Sequence, residues 1–229
     1  MKKVQLIFIL IALSTNLFSQ RISFQNPSFE QVDSVVKTYK YRDNESKPPK
    51  KGAITTTLYT HSSWKSCGFS GETPPDVHPT NQFGVTKLAA DGRFYLGMVA
   101  RDNGTWESIG QKLSTPLSPD TCYQIRLHLM NSAIYQSMSR QTGNTANYDR
   151  PVRLRIWGAR KACGMHALLT VSEPIENREW QTYQFVLKPD SSYAFLRFEA
   201  FYTEGSLFYN GNILMDGLSD LVPCPCGFK

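Results

Sequence analysis

The stretch Tyr123-Gln124-Ile125-Arg126-Leu127-His128-Leu129 sets the fold class. Tyr123, Ile125, Leu127 and Leu129 fall on one side of an extended chain and Gln124, Arg126 and His128 on the other, which is the two-residue period of a half-buried strand. Val152-Arg153-Leu154-Arg155-Ile156-Trp157 repeats the pattern. So does Ala194-Phe195-Leu196-Arg197-Phe198-Glu199-Ala200-Phe201, with Leu196 and Phe198 inward and Arg197 and Glu199 outward. Further strands are expected over residues 54–59, 94–100, 180–187 and 212–216, while helical periodicity is almost absent. Asp91-Gly92, Asn103-Gly104, Ser118-Pro119-Asp120 and Asn210-Gly211 separate these runs with residues that tolerate tight turns. Many short strands with such punctuation predict an all-β sandwich of two antiparallel sheets. Two polar stretches without periodicity, 42–52 and 136–150, read as exposed loops.

The chain has 229 residues and opens with Lys2-Lys3 followed by the apolar run Leu6-Ile7-Phe8-Ile9-Leu10-Ile11-Ala12-Leu13. Cations before a short apolar run make a secretory signal peptide, expected to span 1–19 with cleavage after Ser19. The run is too short to cross a bilayer, which needs about 20 apolar residues. No cysteine near the cleavage point could carry a lipid anchor, and no second apolar segment follows. The mature chain, 20–229, is therefore expected as one soluble domain, secreted or at the cell surface of a bacterium, in the periplasm or outside the cell. The formal charge of +6 falls to about +4 when Lys2 and Lys3 leave, and the remaining cations are scattered, which argues against nucleic acid as a partner.

The five cysteines, Cys67, Cys122, Cys163, Cys224 and Cys226, meet an oxidising compartment, so disulfides are expected and at least one thiol stays unpaired. Cys224-Pro225-Cys226 has the wrong spacing for a redox pair or a zinc knuckle. One of the two is expected to tether its end of the chain, with Cys122 as partner.

Asn26-Pro27-Ser28-Phe29-Glu30 and Gly211-Asn212-Ile213-Leu214-Met215-Asp216-Gly217-Leu218-Ser219 bracket the mature chain. Between them stand Asp91-Gly92-Arg93-Phe94-Tyr95-Leu96-Gly97, Trp106-Glu107-Ser108-Ile109-Gly110-Gln111-Lys112-Leu113, and Pro116-Leu117 before Cys122-Tyr123. Together these blocks resemble the galactose-binding-like jelly-roll domains, in particular carbohydrate-binding modules of secreted bacterial surface proteins. The resemblance implies a structural calcium where the first and last strands meet, with Glu30 and Asp216 at the matching positions and Asn26 beside them. Calcium takes six to eight oxygen ligands, so main-chain carbonyls would complete the set. Such modules are often fused to other domains, and a chain stopping at Lys229 reads as a stand-alone module.

A sugar site needs flat aromatic faces and planar hydrogen-bond partners in a concavity. Arg126 and His128, Arg155 and Trp157, and Arg197 and Glu199 would form one polar-aromatic surface if their strands share a sheet. Arginine suits vicinal hydroxyls, a uronate or a sulfate. Trp64 and Trp106 stand in loop-like stretches where binding residues are common; Trp180 opens a strand and is expected in the core. Catalysis finds little support. Asp76-Val77-His78 lacks a Gly-x-Ser-x-Gly nucleophile elbow, and His61, His78, His128 and His166 show no metal-binding spacing. The expectation is a non-catalytic protein that binds a polysaccharide or glycoconjugate. The alternative is a cell-surface adhesion or scaffold protein that holds a protein partner.

Overall fold

A computed structural model describes residues 21–42, 51–79, 82–203 and 207–227. The expected signal peptide and most of the stretch 42–52 lie outside the described residues.

In chain order, β1 (Val32–Arg42) and β2 (Lys51–His61) form an antiparallel hairpin. Next come β3 (Lys65–Ser66), β4 (Asp76–His78), β5 (Tyr95–Ala100), β6 (Ser108–Leu117) and β7 (Cys122–Met130). The small hairpin β8 (Gln136–Met138) and β9 (Thr145–Asn147) is followed by β10 (Arg150–Pro151), β11 (Arg153–Ala159) and β12 (Ala167–Val171). β13 (Gln181–Leu187), β14 (Tyr193–Phe201), β15 (Gly211–Asp216) and β16 (Val222–Cys224) complete the chain.

One sheet runs β13-β7-β15-β5-β4, with β10 added to β15 and β16 to β7; the other runs β12-β11-β14-β6-β3. The long strands change sheet at nearly every step, β5 to β6 to β7 to β11 and β13 to β14 to β15. This is a jelly-roll β-sandwich. The facing sides of the two sheets supply the main core: Tyr123, Ile125, Leu127 and Leu129 from β7 meet Leu154 and Ile156 from β11 and Leu196 and Phe198 from β14. All are buried, as their alternation requires.

A second apolar cluster lies on the far side of the β5–β15–β7 sheet, where Tyr95, Val99, Met130 and Leu214 are covered by Val85, Tyr135 and Tyr148. Part of the cover, Tyr148, comes from the stretch read as an exposed loop. Residues 136–150 instead hold β8, β9 and β10, and Ser139 and Tyr148 are buried. Trp180 packs here, edge-on to Tyr95 at 5.4 Å, partly buried against this second cluster.

Two disulfides close loops of about a hundred residues. Cys67–Cys163 and Cys122–Cys226 each have a Cα–Cα distance of 5.1 Å. Cys226, then, is the tether to Cys122, and Cys224 is free.

Candidate functional site

The structure divides the six expected strand residues between two surfaces. β7 carries Arg126 and His128 in one sheet, whereas β11 and β14 carry Arg155, Trp157, Arg197 and Glu199 in the other. The core separates them, so they cannot form one groove. The jelly-roll crossing between β7 and β11 is the reason.

On the β11–β14 surface, Arg155 stands opposite Glu199 and Trp157 opposite Arg197. The Glu199 carboxylate accepts from Arg155 Nε at 2.6 Å, from Trp157 Nε1 at 3.1 Å and from Arg197 Nη2 at 3.0 Å, and it pairs again with the second arm of Arg155. Arg197 also donates to the Cys163 carbonyl at 3.1 Å. The Arg155 guanidinium carbon lies 3.2 Å from the Phe201 ring centre and 5.9 Å from that of Trp106. Trp106 packs edge-on to both Phe201 and Phe69 at 4.8 Å. Glu199 is fully buried and Arg197 is 7% exposed. "Outward" therefore does not mean solvated here, because the 160–166 segment and its disulfide to Cys67 lie over this surface. A Cβ on Gly110, which pairs with Arg197, would sit 3.2 Å from Cys67 Sγ. The hydrogen-bonding capacity of Glu199 is spent within the protein, and the cluster reads as structural.

Trp64 corrects the loop reading. Its indole is 9% exposed, packs against Phe24, Phe29 and Phe198 in the main core, and donates to the Asn26 carbonyl at 2.9 Å. On the other sheet, Arg126 Nε donates to Gln184 Oε1 at 3.2 Å, and His128 Nδ1 lies 3.2 Å from Thr182 Oγ1. Arg126 lines a cleft of about 350 Å³ with Arg21, Gln124, Ser219, Asp220 and Cys224.

The first and last segments do meet at one loop. Glu30 Oε1 accepts from the Arg93 and Phe94 N–H groups, both at 2.8 Å. Asp216 Oδ2 accepts from Ala90 and Asp91 N–H at 2.9 Å, and Oδ1 from Gly217 N–H at 2.7 Å. Gly92 between them is required: its φ is +68°, and a Cβ would lie 2.5 Å from the Glu30 carboxyl carbon. Burial, with Asp91 nearby, pushes the Asp216 carboxyl up to about 7.

Hard carboxylate oxygens of this kind suit calcium, and Glu30 and Asp216 bring two such groups to one loop, each already accepting main-chain N–H groups. Asn26 does not join them: its Oδ1 accepts from Gln31 N–H at 2.9 Å and its Nδ2 donates to the Gln31 and Ser62 carbonyls. Among the described residues no three His, Cys, Asp or Glu side chains converge as a metal cage. Any ion at this loop would need main-chain oxygens.

Beside this loop opens a cleft of about 640 Å³ lined by Glu30, Val32, Ser34, Val77, Pro79, Gln82, Arg93 and Phe94. Arg93 lies over the half-buried Phe94 ring at 5.0 Å. The first strand residues, the Pro79 turn and the Arg93–Phe94 corner each supply one wall. Sequence reading gave this region to calcium alone; the signal for more was Arg93-Phe94 directly after the Asp91-Gly92 turn.

A second feature gathers around the Asp76-Val77-His78 stretch, which the sequence offered only as an incomplete catalytic motif. Asp76 and His78 of β4 pair with Gly97 and Tyr95 of β5, and so share the side of the sheet that carries Tyr95 and the second cluster, while Val77 pairs with Leu96 on the other side. Tyr135 donates to Asp76, and its hydroxyl lies 3.4 Å from His78 Nε2. Glu107 is paired with Arg101 and accepts from Val99 N–H at 3.1 Å. Arg101 and Arg140 reach Glu72 at 3.5 and 2.8 Å. Burial pushes Asp76 up to about 6 and Glu107 well above the usual carboxylate range, and it drops His78 to about 4. Gly97 makes the room: a Cβ there would lie 2.8 Å from the His78 ring and 3.0 Å from the Tyr135 hydroxyl. This network pins the covering segments onto the sheet.

No protein-family model matches the sequence, and a search of curated proteins finds no match. Among solved structures, the chain is similar to the Stig cyclase Fisc from Fischerella sp. TAU, with 14% identity, 90% of this chain and 98% of that chain covered, and a TM-score of 0.46. It is similar to the CBM22-1 xylan-binding domain of Paenibacillus barcinonensis Xyn10C, with 13% identity, 72% and 87% covered, and a TM-score of 0.42. It is also similar to the K1 cleaved adhesin domain of Lys-gingipain from Porphyromonas gingivalis W83, with 10% identity, 84% and 99% covered, and a TM-score of 0.43.

Proposed function

We propose that the protein is a secreted, non-catalytic glycan-binding module that holds its ligand in the cleft between Glu30, Ser34, Gln82, Arg93 and Phe94. One observation carries this reading. The cleft, at about 640 Å³, falls in the range of roughly 300–1,000 Å³ typical of ligand sites, and it sets an aromatic ring beside a guanidinium, an amide, a carboxylate and a hydroxyl. A pyranose presents an apolar face for the ring and hydroxyls for the planar groups. The Arg93 fork suits vicinal diols and also the anionic groups of an acidic glycan. The non-catalytic part rests on the Asp76–His78–Tyr135 cluster, in which His78 and Tyr135 are buried and Asp76 is half-buried. We further propose that a calcium ion held by Glu30 and Asp216 with main-chain oxygens braces the loop that carries Arg93 and Phe94, supplying charge neutralisation for the buried Asp216 carboxyl.

A glycan array on the secreted chain followed by titration tests the reading. Phe94→Ala and Arg93→Ala are each expected to weaken binding about tenfold, or about 1.4 kcal/mol, whereas Arg126→Ala leaves it unchanged. For an acidic ligand the Arg93 effect shrinks as salt rises, since exposed charges are screened over about 8 Å at physiological ionic strength. Unchanged affinity in both cleft variants refutes the assignment. A chain that binds no glycan at all favours the adhesion reading, with a protein partner.

A further inference from the structure

We propose that Cys122, Cys224 and Cys226 form a thiol–disulfide exchange site, at which the Cys224 thiol displaces Cys226 from Cys122 and delivers a reactive thiol to the protein surface. β16 pairs antiparallel with the start of β7 so that Cys224 stands directly opposite Cys122. Directly opposed residues in such a pair have Cα atoms about 4.5–5.5 Å apart, inside the span of about 4.4–6.8 Å that a disulfide bridges. The bond present runs instead from Cys122 to Cys226, at a Cα–Cα distance of 5.1 Å. One buried sulfur thus has two partners within bonding reach, two residues apart on the same segment. Only one of them can be bonded at a time.

The spare thiol is placed to react. Cys224 is half-buried and lines the 350 Å³ cleft beside Arg21 and Arg126, while Cys226 lies on the exposed turn that follows. In the exchange, Cys224 gives its proton to solvent and its thiolate attacks Cys122 Sγ. The Cys122–Cys226 bond breaks with its electron pair on Cys226 Sγ, which then takes up a proton. One disulfide and one thiol stand on each side of the step, so no oxidant or reductant is consumed. Burial pushes the Cys224 thiol up from its ordinary value, so the thiolate is scarce at neutral pH and exchange quickens as pH rises. The exposed Cys226 thiol would then lose its proton and attack one sulfur of a disulfide brought by another molecule, breaking that S–S bond, leaving a mixed disulfide on the surface and releasing the other sulfur as a protonated thiol.

Alkylation and disulfide mapping decide the matter. The native chain is incubated at pH 8.5, alkylated with iodoacetamide and fragmented for mass spectrometry. Label is expected on Cys224 in one population and on Cys226 in another, with Cys67–Cys163 intact as the internal control. Label confined to Cys224 overturns the proposal. Cys226→Ser provides the second arm: it is expected to fold with a Cys122–Cys224 bond and no free thiol, whereas free thiols on both Cys122 and Cys224 overturn the proposal. Should that variant fail to fold, the native mapping still decides.

Discussion

Glu199→Ala is the most direct test of the conclusion that the β11–β14 cluster is structural and not a ligand surface. The carboxylate is fully buried and accepts from two guanidinium groups and one indole. Burial, with Arg155 beside it, holds the Arg197 guanidinium below its ordinary value, and Glu199 is the partner that works against that fall. Removing the carboxylate leaves Arg197 buried beside Arg155 with no anion. Breaking a buried ion pair by deleting one partner costs about 3–5 kcal/mol. In a domain of this size each kcal/mol moves the melting temperature by roughly 2–4 °C, so a fall on the order of 10 °C is expected. Urea unfolding followed by intrinsic fluorescence gives the free energy, and calorimetry gives the temperature. Glu199→Leu combined with Arg197→Met should recover part of the loss, because an apolar replacement of both charges removes the desolvation cost along with the attraction. A loss below about 1 kcal/mol, the scale of an exposed pair, would refute the reasoning and return the cluster to the solvated surface first inferred from alternation.

The remaining predictions concern the loop and the second cluster. The Asp216 carboxyl is raised from 3.8 to about 7 in the fold, so its contribution to stability is full below the unfolded value and is lost as pH rises through about 7; without calcium, the fall in urea midpoint between pH 5 and pH 8 should be smaller in Asp216→Asn than in the native chain, and equal slopes would refute the shift. Calcium at millimolar concentration should raise the melting temperature by mass action, most at pH 8 where the carboxylate is exposed to its full burial cost, and Glu30→Gln with Asp216→Asn should abolish the response; identical melts with calcium and with chelator would remove the ion. Gly97→Ala should destabilise by about 1–3 kcal/mol through overpacking against His78 and Tyr135, and a neutral effect in urea unfolding would show that the covering segment yields freely.

The strands most legible in the sequence were those whose alternation was unbroken: β7, β11 and β14 appear within one or two residues of the runs that predict them. Period two tells which side chains share a face, because successive residues must point to opposite sides. It does not tell which sheet a strand joins. Arg126 and Arg155 looked like neighbours only because both sit outward on strong strands, and the chain's habit of crossing between sheets put them on opposite surfaces. Nor does the period tell what lies over a face. Residues 136–150 carry no apolar alternation, since β8 and β9 are three residues each and pair only with one another, yet that stretch delivers Tyr148 and the wall behind Tyr135.

The same limit explains why chemically apt residues were placed in the wrong role. Asn26 has the oxygen a calcium ligand needs, but its three side-chain hydrogen bonds are spent on the main chain of Gln31 and Ser62. Glu199 has the carboxylate a sugar site needs, but every neighbour that could free it is a donor already in contact. Glu30 is the instructive contrast: its Oε1 is held by two main-chain N–H groups, and those contacts fix Arg93 and Phe94 at the rim of the cleft. A charged side chain that is satisfied by another side chain is used up, whereas one satisfied by the backbone can position the next residues for a ligand. On that physical ground the Glu30–Arg93–Phe94 corner, and not the Glu199 cluster, is where recognition is to be sought.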